Sequence, residues 1–120
     1  MGREIKFRGL GKNITNGLPR WYIGYYVGGL IPCINVNMQT YEVDPNTVGQ
    51  FINSYDKNGV DIFEGDIVKN INGDLRLIMY FFHSFEMRLI NTKKESNNII
   101  WWNKVEVIGN IHENSDLLNN

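Results

Sequence analysis

The feature that most constrains this chain is the way its apolar residues alternate in short runs, each broken by Gly, Asn, Asp or Pro. Helical periodicity is nearly absent. Alternation with period two puts every second side chain on one face of a strand, and the breaking residues are those that turns require. Glu4 to Arg8 sets Ile5 and Phe7 on one face and three charges on the other. Arg20 to Val27 sets Trp21, Ile23, Tyr25 and Val27 on one face, which is the expected core face, and Tyr22, Gly24 and Tyr26 on its opposite. Further strands are expected at Leu30–Val36, Gln39–Val43, Gly65–Lys69, Leu75–Phe81, Phe85–Leu89, Ile99–Trp102 and Lys104–Ile111. The pattern predicts an all-β fold, a small SH3-like barrel or barrel/sandwich of short antiparallel strands, with a short helical turn near Ser115. With 120 residues and no linker or repeat, one domain spanning 1–120 with an ordered core over about 3–112 is expected.

The connections carry the strongest local signals. Gly9 to Gly17 reads as a loop, Asn37-Met38 as a hairpin turn, and Asp44-Pro45-Asn46 as a strand stop, since proline cannot donate to a ladder. Asn58-Gly59 matches the two central positions of a type I′ turn, and Asn72-Gly73 supplies another tight turn. Glu64-Gly65-Asp66 reads as a structural turn in which Gly65 takes positive φ and Asp66 accepts backbone hydrogen bonds.

No complete catalytic, cofactor-binding or metal-binding set is visible, so neither enzymatic activity nor a cofactor is expected. Glu64 and Asp66 with His112 are the nearest approach to an acid–base group, and a turn explains the first two better. His83 and His112 lack partners at ligand spacing. Cys33, the single cysteine, stands in an apolar Ile-Pro-Cys-Ile run and reads as a small strand residue. No serine occupies a nucleophile elbow, and no phosphate loop is present.

A net charge of −1 with scattered basic residues gives no electrostatic footprint for nucleic acid. The longest apolar run is too short to span a bilayer, the N-terminal residues lack the apolar region of a signal peptide, and one cysteine suits a reducing cytoplasm. The candidate interaction surface is Tyr22 and Tyr26 with Arg20, because two tyrosines flanking Gly24 offer apolar area and polar tips. The default reading is that these rings pack within the chain. A protein partner or a second copy is expected there; nucleic acid stacking on aromatic rings is the alternative.

Several segments carry a family resemblance in combination. They are Ile5-Lys6-Phe7-Arg8-Gly9, the run Tyr41 to Phe51, Asp56-Lys57-Asn58-Gly59, Ile62 to Val68, and Val107 to Asn114. On these the chain resembles the YopX family of phage and prophage proteins. The resemblance implies a β fold with SH3-like barrel character, a phage or prophage origin and life in the bacterial cytoplasm. It implies no activity, catalytic residue or cofactor. The chain departs from the family pattern at Ile52-Asn53, where Thr-Gly is expected, and at Asp74-Leu75-Arg76-Leu77, where a glycine-marked strand is expected.

Overall fold

Three glycines decide how the first part of the chain folds. A Cβ on Gly9 would lie 3.0 Å from the Val43 Cβ, one on Gly11 would lie 2.6 Å from the Tyr22 ring, and one on Gly24 would collide with the Asn35 carbonyl oxygen. Close backbone approach of this kind is what glycine in a strand permits. The computed structural model describes residues 4–12, 20–81, 84–89 and 102–119. Chain contacts gather into two units, Met1–Phe51 and Ile52–Asn120.

In the first unit, β1 (Phe7–Leu10), β2 (Trp21–Val27), β3 (Cys33–Val36) and β4 (Gln39–Glu42) pair antiparallel in chain order, and the start of β5 (Gly49–Tyr55) lies on the free side of β1. The sheet then closes on itself. Gly11 bridges Val43, Lys12 N–H donates to the Glu42 carbonyl (3.0 Å), and Asp44 N–H donates to the Leu10 carbonyl (2.9 Å). Closure removes an exposed edge and gives a small barrel with Ile34 and Val43 fully buried. Gly9 and Gly11 therefore belong to the closing strand, not to the expected loop; residues 13–17 of that loop lie outside the described residues.

Closure also inverts the expected faces of β2. Tyr22 stacks on Tyr41 with ring centroids 4.2 Å apart, and Tyr26 tilts against Phe7. Ile23, Tyr25 and Val27, expected in the core, are exposed on the outer surface, with Tyr25 at 70%. On β2 the side of Gly24 faces the interior with Ile34 and Val43, and Ile23, Tyr25 and Val27 are left outside.

In the second unit, β5 continues into a hairpin with β6 (Asp61–Phe63), and β10 (Glu106–Asn110), β7 (Asp66–Lys69), β8 (Leu75–Phe81) and β9 (Ser84–Leu89) form an antiparallel sheet in that order. Ile52, Ile62, Val68, Ile78 and Val105 make its core, with Phe85, Met87 and Val107 packed against it. Burial of such side chains contributes about 1.5–3 kcal/mol each. β8, whose apolar residues on both faces fit either a central strand or a face that meets a partner, lies between β7 and β9. Trp102–Lys104 forms a short 3-10 turn where the end of a strand is expected, and Ser115–Asn119 is the short C-terminal turn. Residues 93–98, where the sequence Lys-Lys-Glu-Ser-Asn-Asn reads as a polar loop, residues 99–101 of an expected strand, and His83 lie outside the described residues.

Candidate functional site

The polar residues of the sequence motifs are hydrogen-bond staples. Asp56 is buried, and its carboxylate takes three backbone N–H groups: Asn58 (2.8 Å) and Val60 (2.9 Å) on Oδ1, and Val107 (2.9 Å) on Oδ2. Lys57 N–H adds a bond to the Val105 carbonyl (2.9 Å), so the β5–β6 hairpin is tied to β10. Burial pulls the Asp56 carboxyl pKa up, but the three N–H donors and the Lys57 ammonium together outweigh it and hold the group below its ordinary value.

This staple alters the expected hairpin. Asp56 C=O accepts from Gly59 N–H (3.0 Å), which makes Lys57 and Asn58 the central residues, and only Gly59 has positive φ (80°). A three-residue loop with glycine in the left-handed region replaces the type I′ turn expected at Asn58-Gly59. The two-residue turn with both φ values positive is instead Asn37-Met38, between β3 and β4.

Gly65 has φ of 94° in the turn from β6 to β7, its N–H donates to the Ile78 carbonyl, and its carbonyl accepts from Ile111 N–H. Asp66, 1% exposed, accepts the Phe63 N–H (2.8 Å). Glu64 is half-buried in the same turn. Asp66 pairs with Asn110 across β7 and β10, so the structure brings the Glu64-Gly65-Asp66 turn and the segment carrying His112 side by side. Asp66 nevertheless caps its own turn, which is the structural reading of this motif. Among the described residues, no three of His, Cys, Asp and Glu gather as metal ligands.

Sequence reasoning missed two staples of the same kind. Asn70 Oδ1 accepts from Asn72 N–H (3.0 Å) and Asp74 N–H (2.9 Å). Asn110 Oδ1 accepts from His112 N–H (3.0 Å) and Glu113 N–H (2.9 Å), while Asn114 Oδ1 accepts from Asn110 N–H (3.1 Å). The signal was available: an Asx residue followed two to four positions later by a turn offers a side-chain acceptor to the free amides. In the first unit, Thr47 Oγ1 plays this part for Leu10 N–H (2.8 Å) and donates to the Asp44 carbonyl (2.6 Å).

Of the expected interaction residues, Tyr22 is held by Tyr41, and the Arg20 guanidinium lies 5.6 Å from the Tyr22 ring centre. Tyr26 is 37% exposed at the barrel rim. Ile23, Tyr25 and Val27 form an exposed stripe on the outer face of β2, with Arg8 paired opposite Ile23, and Leu30 and Ile31 are exposed in the connection to β3. Leu30 is fully exposed, and Arg8 lies over Trp21 at the other end of the strand, 4.9 Å from the ring centre. No charged residue occurs from Trp21 through Tyr41. Exposed apolar residues gathered in this way mark contact surfaces more often than isolated ones do. Among the described residues, no helix is long and apolar enough to cross a membrane.

No curated protein matches the chain. A family model described as YopX protein matches residues 31–119, a span that includes the staples at Thr47, Asp56, Asp66, Asn70 and Asn110 and begins just after β2. The chain thus belongs to the YopX family.

Proposed function

We propose that this chain is a non-enzymatic interaction module of a phage or prophage, acting in the bacterial cytoplasm on a host- or phage-encoded protein. The observation that carries the reading is the outer stripe of β2: Ile23, Tyr25 and Val27 are exposed on a strand whose other face is already packed. The motif acids and amides support it from the other side, since each is engaged in holding a turn and their arrangement serves the fold. The SH3-like character implied by the family resemblance suits a binding role, although fold alone assigns none.

The test is capture from lysate of a bacterial host by immobilised wild-type and Tyr25→Lys chains. A protein retained by wild type and lost from the variant is the expected result. Identical sets of captured proteins would overturn the reading.

A second reading has one observation in its favour: Arg8 over Trp21 and Arg20 beside Tyr22 set cations against aromatic rings, as single-stranded nucleic acid sites do. Oligonucleotide binding that weakens steeply with salt would establish it. Absence of binding at low salt would remove it.

A further inference from the structure

We infer that the outer edge of β9 takes an extended peptide segment of a partner protein, one that carries a carboxylate opposite Met87 and meets the Arg76 guanidinium there. This edge belongs to the second unit, and the β2 stripe plays no part in it.

The first observation is an edge with outward backbone groups. Among the described residues, β9 ends the sheet β10-β7-β8-β9. The Ile78 carbonyl accepts from Gly65 N–H, so Ile78 turns its backbone toward β7. Its antiparallel partner on β9 is Met87, and the residue opposite such a position points its own N–H and C=O away from the neighbouring strand. Met87, and Phe85 two positions before it, therefore present donors and acceptors outward, which is the template an added strand uses. The other end of the sheet is capped from within the chain. On β10 the Val107 N–H donates to the Asp56 carboxylate, and beside it Lys57 N–H donates to the Val105 carbonyl.

The second observation is a buried charge without a counter-charge. Arg76 is 7% exposed, stands directly opposite Val68 and shares a face of β8 with the fully buried Ile78. Its Nε and Nη2 are buried and have no hydrogen-bond partner among the described residues. Nη1 donates to the outward Met87 carbonyl over a long 3.3 Å, so the guanidinium reaches across β9 to its outer edge. Glu86 lies on the opposite face of the β8–β9 pair, 3.9 Å from Arg88, and the Asp56 carboxylate is filled by three backbone amides. A guanidinium left in this state weakens the fold relative to an apolar side chain of similar size. A carboxylate arriving at the edge offsets that cost, because rotation of the terminal Arg76 torsions exchanges the long carbonyl contact for paired, charge-assisted bonds. A free anion would balance the charge alone. A peptide backbone also supplies the alternating acceptors and donors that Phe85 and Met87 face.

Fluorescence anisotropy of the intact chain with an end-blocked, labelled peptide, Thr-Val-Thr-Glu-Thr-Val-Thr, tests this. Its glutamate can sit opposite Met87 with a valine on either side along the same face. Wild type is expected to bind it about 10-fold or more tighter than the same peptide with glutamine at the centre. N-methylation of the valine and glutamate amides, which would face β9, is expected to abolish binding. Arg76→Gln is expected to bind the glutamate and glutamine peptides alike. Arg76→Met is expected to match or exceed the wild-type midpoint in urea, so that its loss of preference is not loss of folding. Tyr25→Lys is expected to bind the peptide as wild type does, which keeps this edge and the β2 stripe separable. Equal affinity of wild type for the two peptides overturns the inference, as does absence of binding at millimolar peptide. A large fall in the urea midpoint of Arg76→Met would show that the guanidinium is satisfied within the fold, and also overturn it. Binding that survives N-methylation and is displaced by acetate or inorganic phosphate would assign a free-anion site and overturn the peptide.

Discussion

The two units of this chain use their side chains in opposite ways. In Ile52–Asn120, buried polar groups do much of the fastening: Asp56, Asn70 and Asn110 each collect backbone amides that a short turn leaves without partners. In Met1–Phe51 the sheet closes on itself through close glycine contacts, and the apolar side chains that the tight interior cannot hold are displayed outside. A buried acceptor with several donors has one conformation that satisfies it, so such residues are fixed by the fold. Ile23 and Tyr25, by contrast, keep 47% and 70% of their surface exposed. The contrast teaches that the most recognisable residues here build the scaffold, while the exposed Ile23, Tyr25 and Val27 precede the span matched by the family model.

The largest expected effect breaks a staple. Asp56→Ala leaves the Asn58, Val60 and Val107 amides without their acceptor and is expected to cost about 3 kcal/mol in urea unfolding. A loss below about 0.5 kcal/mol, the range of ordinary surface changes, would remove Asp56 from the account.

Next comes Gly65→Ala. At φ of 94° a side chain is strained, and the expected loss is about 1 kcal/mol or more. Full retention of thermal stability would contradict the assigned turn.

The pH dependence sharpens the same contrast. Asp56 titrates below its ordinary value of 3.8 in the folded chain, so the folded state favours the ionised form. Its contribution is complete above that value and is lost as pH falls below it through the folded pKa. Wild type should therefore lose urea resistance between about pH 5 and pH 2 more steeply than Asp56→Asn, whose amide does not titrate in that window. Parallel curves would show that the carboxylate charge adds nothing.

The smallest effect concerns Asn53. It holds φ of 61° within β5, at the position where the family resemblance leads one to expect glycine. Asparagine tolerates the left-handed region better than other side chains, and glycine tolerates it fully. Asn53→Gly is expected to change stability by less than about 1 kcal/mol, and Asn53→Ala to cost more than that. Equal melts for the two variants would separate the strand geometry from the choice of residue.

Much of this architecture was legible because turns have local chemistry. Gly65 at positive φ, the Asn37-Met38 hairpin and the stop at Asp44-Pro45 all follow from residues within a few positions of one another. What was not legible depends on distant contacts. Alternation shows that Trp21, Ile23, Tyr25 and Val27 share a face, but which face lies inside is decided when Gly11 meets Val43. Size was the overlooked clue, since Gly9 and Gly24 mark the side where strands approach closely. Likewise Asn58-Gly59 looked like the centre of a turn because the pull of the Asp56 carboxylate on Asn58, Val60 and Val107 includes a partner 51 positions away.

Hydroxyl-radical footprinting of the wild-type chain tests the division between inner and outer faces most directly. The account predicts rapid modification of Tyr25 and slow modification of Tyr22 and Tyr41. Faster modification of Tyr22 than of Tyr25 would contradict the assignment of faces.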